Sequence, residues 1–151
     1  MAHTDDSTVQ ILVVENDPSL LEVVCEILED AGYGVMAATG VQAGLDALGR
    51  SRPDVVVTDY AMPDGTARDI IAGASGLPAP PPVIVMSGSV STDVVPALLS
   101  AGATEVLAKP FSLRNLLGVV GAAAERRSAG HPGGRSSDST SPSFVMSDPV
   151  A

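Results

Sequence analysis

Four short runs of almost unbroken apolar residues punctuate the chain: Ile11 to Val14, Asp54 to Thr58, Val83 to Met86 and Glu105 to Ala108. Runs that are apolar on both faces predict strands of a parallel sheet covered by helices on each side. A fifth run, Tyr33 to Thr39, is a weaker strand because Ala37 and Ala38 are poor strand formers. Helical spacing fills the intervals: Pro18 to Ala31, Val41 to Gly49, roughly Ala67 to Gly73, Thr92 to Ala101 and Leu113 to Arg126. In the first of these, Leu20, Val24, Ile27, Leu28 and Ala31 form one stripe, Glu22, Glu26, Glu29 and Asp30 lie off it, and Gly32 ends the pattern. Strand and helix thus alternate five times. Short connections and right-handed crossovers turn that alternation into an α/β fold, an open doubly wound five-stranded parallel sheet with helices on both faces. Five strands are too few for a closed eightfold barrel.

The proline-rich SGLPAPPP before the Val83 run is a stiff connector and no domain boundary, because the apolar pattern resumes at once. After Arg127 the chain turns to Ser, Gly and Pro, a composition that buries too little apolar surface to offset chain entropy. The expected organisation is a flexible leader over 1–8, one domain over 9–127 and a disordered tail over 128–151. With 151 residues, 45% of them apolar, the chain can bury a single core. Eighteen acidic against 8 basic residues give a net charge of -10, which disfavours nucleic-acid binding or anionic lipid contact by this chain alone. The single Cys25 permits no internal disulfide and reads as a buried small hydrophobe on the first helix. No signal peptide or membrane-spanning run is present, so the expectation is a soluble, cytoplasmic protein without membrane insertion.

In a doubly wound sheet, ligands bind beyond the carboxyl ends of the strands where the winding reverses. The residues at those ends are Glu15-Asn16-Asp17, Asp59, Ser87-Gly88 and Lys109-Pro110. Oxygen donors from two adjacent strand ends suit a hard divalent cation such as Mg²⁺, which keeps several waters. A cation beside a lone ammonium is equipment for handling a phosphoryl group: Asp59 as nucleophile, Lys109 neutralising the transferring oxygens, the Ser87 hydroxyl donating to one of them, and Gly88 leaving the approach open. Lys109 is the only lysine of the chain, which makes its position at a strand end more telling.

The series ILVVENDP, VVVTDYAMP, VIVMSGS and VLAKPF resembles the receiver domain of two-component response regulators over roughly residues 9 to 126. Each motif alone is weak, and the four in order are strong. The resemblance implies a flavodoxin-like fold with strand order 2-1-3-4-5, and phosphoryl transfer to Asp59 from a sensor histidine kinase or histidine phosphotransfer protein. It further implies that Glu15, Asn16, Asp59 and the carbonyl of Ala61 hold Mg²⁺ or Mn²⁺, that Ser87 and Lys109 bind the phosphoryl group, and that Lys109-Pro110 is cis. Departures from the pattern are equally concrete. The second acid after the first strand is replaced by the neutral amide of Asn16, which predicts weaker metal affinity. Asp17 could compensate, but it stands first as N-cap to a helix that opens with Pro18. Val106 occupies the position of the family's aromatic switch, so no ring can report phosphorylation there. The loop after Asp59 reads MPDGTARD, altered from the usual turn, and Pro96 is expected to kink or delay the fourth helix.

Blander roles are available to each residue: Asp59 capping a turn, Asn16 satisfying loop backbone, Ser87 an ordinary turn serine, Lys109 a structural ion pair. His3 and His131 lie outside the helical pattern and are no candidates for a phosphotransfer histidine. The leading expectation is a stand-alone receiver that catalyses only its own phosphorylation and dephosphorylation and signals to an unidentified downstream protein. A pseudo-receiver that binds its partner constitutively is the alternative, motivated by Asn16 and Val106. A free-standing aspartyl-phosphate hydrolase ranks third, because Ala61 stands where its general acid/base would be needed.

Overall fold

A computed structural model of the protein describes residues 8–88 and 94–129. The expected leader (save Thr8) and nearly all of the expected tail lie outside these residues. The elements in chain order are β1 (Gln10–Val14), α1 (Pro18–Asp30), β2 (Gly34–Ala38), α2 (Val41–Ser51), β3 (Val55–Asp59), β4 (Ala61–Met62), β5 (Gly65–Thr66), α3 (Ala67–Ser75), β6 (Val83–Ser87), α4 (Val94–Ala101), β7 (Glu105–Ala108) and α5 (Leu113–Ala129). Five strands form one parallel sheet in the order β2-β1-β3-β6-β7. Leaving aside the short β4-β5 pair, this is the expected order 2-1-3-4-5, a flavodoxin-like fold.

Alternate residues of each strand feed opposite faces. Leu12, Val14, Val56, Val85 and Val106 pack under α2, α3 and α4 with Val41, Leu48, Ile70, Ile71 and Leu98. Ile11, Val13, Val55, Val57, Ile84, Met86 and Leu107 pack under α1 and α5 with Val24, Leu28, Leu116 and Val120. Two cores flank one sheet, which explains why the strands read as continuous apolar runs. The stripe on α1 turns inward as expected except at Ala31, which is the exposed C-cap, while Gly32 takes φ of +100°, a value open to glycine without steric cost. Cys25 is a correction: it packs against the core but is only partly buried.

Helix α5 continues to Ala129, past the expected helix end at Arg126; Arg126 and Arg127 in its last turn suit a helix C-terminus, and Arg127 Nη1 donates to the Pro80 carbonyl at 3.1 Å. Pro96 sits in the first turn of the described α4, where a proline forfeits no hydrogen bond; Thr92 and Asp93, where a delay would be seen, lie outside the described residues. The largest difference is the antiparallel hairpin of β4 and β5 directly after Asp59, which the apolar pattern did not reveal.

Candidate functional site

The winding of the sheet reverses between β1 and β3, where Glu15 directly follows β1 and Asp59 ends β3. Both carboxylates are sunk into the fold, Glu15 to 1% and Asp59 to 9% exposure. Lys109, one residue past β7, reaches across to both: its Nζ lies 3.1 Å from Asp59 Oδ1 and 3.3 Å from Glu15 Oε1. Two further backbone bonds fix the carboxylates. The Tyr60 amide donates to Asp59 Oδ1 at 2.8 Å, and the Asp17 amide donates to Glu15 Oε2 at 3.0 Å. The Lys109-Pro110 peptide is cis, as the resemblance implied, and the Lys109 amide donates to the Ser87 carbonyl at 2.8 Å. Ser87, paired in register with Ala108, is fully buried at the end of β6. A Cβ built at the following Gly88 would meet nothing within 4 Å, so the space above it is open.

Burial pushes the Glu15 carboxyl above its usual range, and the charge of Asp59 adds to this against the opposing Asp17 amide and Lys109. For Lys109, burial alone would act downward, yet hydrogen bonding and charge from Asp59 and Glu15 carry its ammonium above the ordinary lysine range. Two buried carboxylates against one ammonium leave a surplus negative charge, which a divalent cation would offset. Among the described residues no group of three or more His, Cys, Asp or Glu could hold a metal by itself. A cation here would therefore draw on neutral oxygens and water as well, the habit of Mg²⁺. Asn16 is exposed directly after Glu15, and Ala61 is exposed on β4, two residues beyond Asp59. The structure thus brings Glu15, Asp59 and Lys109 into direct contact and places Asn16, Ala61 and Ser87 on the same edge. Asp17 takes its simpler role, accepting from the Ser19 amide at 3.0 Å as N-cap of α1. Val106 is fully buried among aliphatic residues.

One residue escaped the sequence reading. Asp64, at the tip of the hairpin, accepts from Val41 N at 2.9 Å and Gln42 N at 3.0 Å, the first amides of α2. The N-cap there is Gly40, which has no side chain to offer. A signal existed in the Asp64-Gly65 dipeptide, a strong turn marker, and in the absence of a capping side chain before Val41.

Residues 11–121 match the response regulator receiver domain. The chain belongs to that family. This receiver is 32% identical over 119 residues to the transcriptional regulatory protein KdpE of Mycobacterium tuberculosis, covering 79% of this chain and 52% of that protein. It is 36% identical over 121 residues to the response regulator MprA of a Mycobacterium species, covering 80% of this chain and 52% of that protein. The receiver thus spans about half the length of the curated relatives it matches. A response regulator receiver domain from Clostridium thermocellum superimposes with a TM-score of 0.74 at 27% identity, covering 80% of this chain and 98% of that one. A CheY-like receiver from Methanospirillum hungatei gives a TM-score of 0.76 at 24% identity over 81% of this chain and 98% of that one, a likeness of fold. As receivers, such domains work in two-component systems with histidine kinases. Relatives that are transcriptional regulators lend no support to the expectation of no nucleic-acid role. Among the described residues, no helix is long and apolar enough to cross a membrane.

Proposed function

We propose that this receiver accepts a phosphoryl group on Asp59 from the phosphohistidine of a sensor kinase or phosphotransfer protein, with Mg²⁺ or Mn²⁺ assisting. The observation that carries the reading is the pair of buried carboxylates, Asp59 and Glu15, joined by Lys109 at the winding reversal of the sheet, with Lys109 3.1 Å from Asp59. The Tyr60 amide and Lys109 Nζ both donate to Asp59 Oδ1, which orients the carboxylate for attack on phosphorus. The P–N bond to the donor imidazole breaks as the acyl phosphate forms, and the imidazole leaves with its proton. Lys109 stabilises charge on the transferring oxygens, and the Ser87 hydroxyl donates to one of them. Glu15, Asn16, Asp59 and the carbonyl of Ala61 would hold the cation. When bound, it supplies further neutralisation of phosphoryl charge. The domain is a signalling element whose chemistry is confined to its own acyl phosphate, and its output passes to a downstream protein in the cytoplasm.

The test is intact mass after incubation with Mg²⁺ and acetyl phosphate. The native chain gains a single phosphoryl adduct and Asp59→Asn gains none; no adduct on either, with a kinase donor failing as well, overturns the reading. A second reading, constitutive partner binding, is favoured by the neutral, exposed Asn16 in place of a second acid. It predicts that cells carrying Asp59→Ala keep the function of the native gene.

A further inference from the structure

The β4-β5 hairpin is the part of this receiver furthest from the pattern it otherwise follows, and each strand has only two residues. A pair of that size does not persist in water without outside support. Support comes at both ends. At its exit, Thr66 and Asp69 form a capping box on α3, with Thr66 N donating to Asp69 Oδ2 at 3.1 Å and Arg68 N to Thr66 Oγ1 at 3.2 Å. At its tip, the two oxygens of Asp64 take one amide each from Val41 and Gln42, 23 and 22 residues away in sequence. Gly65 has φ of +152°, and a Cβ there would come within 2.6 Å of Asp69 Oδ2 and 3.0 Å of Val41 Cγ2, so the turn lies flush against both helices. Gly40 meets the clamp equally closely, its virtual Cβ 3.0 Å from Asp64 Oδ1. The two amide bonds hold the Asp64 carboxyl below its ordinary range.

We infer that Asp64 is a positioning residue for the cation site: by tying the hairpin tip to the N-terminus of α2, it holds β4, and with it the backbone of Ala61, in place beside Asp59. The inference rests on the metal-assisted reading above. Helix α2 lends its first amides to a tether, and the tether sets the one backbone ligand that no side chain can replace.

A magnesium chloride titration of the full chain, without phosphodonor, followed by the amide shifts of Tyr60 and Ala61, tests this alongside thermal melts. Asp64→Ala raises the Mg²⁺ concentration for half-saturation about tenfold, the scale of losing a support behind a metal ligand. Asp64→Asn, which keeps one acceptor oxygen, falls between. The deciding variant is Gly40→Ser in the Asp64→Ala background: serine caps α2 from its own extended backbone, in space that the lost carboxylate vacates, but cannot hold the hairpin. Its melting temperature recovers while its Mg²⁺ affinity stays weak. Unchanged affinity in Asp64→Ala, or affinity that returns with the serine cap, reduces Asp64 to a helix cap and overturns the inference alone. A native chain that shows no saturable Mg²⁺ response overturns the metal-assisted reading, and the inference with it.

Discussion

Glu15 carries a cost that the fold bears for the sake of the site. Its carboxylate is buried next to Asp59, and the loss of water outweighs the help of the Asp17 amide and Lys109, so its proton is held more tightly folded than unfolded. The sign follows: the folded state binds more protons, so the contribution of Glu15 to stability is full below its ordinary value of 4.5 and is lost as pH rises through the raised folded value. Glu15→Gln therefore melts higher than the native metal-free chain at pH 7, and the difference closes as the pH approaches 4.5. Melting curves across pH 4 to 8 in a chelating buffer check this; a gap that widens on acidification refutes it. At this scale the meeting of Glu15, Asp59 and Lys109 was legible in sequence because each follows an apolar run, and the topology brings all such ends to one edge. Asp64 was less so, because the Asp64-Gly65 turn marker is local and does not name its partners, backbone amides of α2 more than 20 residues away.

Among the elements, α2 shows how packing overrides propensity. Gly44 and Gly49 both lie within this helix, and each would gain from alanine by the entropy argument alone. Their surroundings differ. A Cβ at Gly44 would stand 2.9 Å from Ile70 Cδ1 and 3.0 Å from Val14 Cγ2, whereas at exposed Gly49 it would meet nothing within 4 Å. Gly49→Ala thus stabilises by about 0.5–1 kcal/mol, while Gly44→Ala loses about 1 kcal/mol or more because the overpacking of α2 against β1 and α3 exceeds the helix gain. Urea denaturation of the two variants separates them by sign. Helix and strand positions were legible because burial imposes period on the apolar residues, and the predicted ends fell within a few residues of the observed ones. The hairpin was illegible for the complementary reason: of its four paired residues only Met62 is buried, so no alternation announces it.

For the molecule as a whole, the site bridges two cores that share one sheet. Asp59 ends β3 at the centre, Ser87 ends β6 and Lys109 directly follows β7, and these two strands lead to α4 and α5 on opposite faces. On the proposed reading, a phosphoryl group on Asp59 would compete with Glu15 for Lys109 and draw on the Ser87 hydroxyl, so its effect would enter the fold through the ends of β6 and β7. Val106 offers no aromatic ring to carry that effect outward, so on this reading the packing of α4 and α5 would carry it. The opposite edge, where Pro80 and Thr104 precede the same strands, is separated from the site by the full length of the sheet. Amide hydrogen exchange with and without acetyl phosphate and Mg²⁺ should then change in peptides covering 83–101 and 105–116 and stay constant over 78–82 and 31–35, with Asp59→Asn flat throughout. Changes spread evenly over both edges would show that the sheet moves as one body and that phosphorylation is not transmitted through these two strand ends.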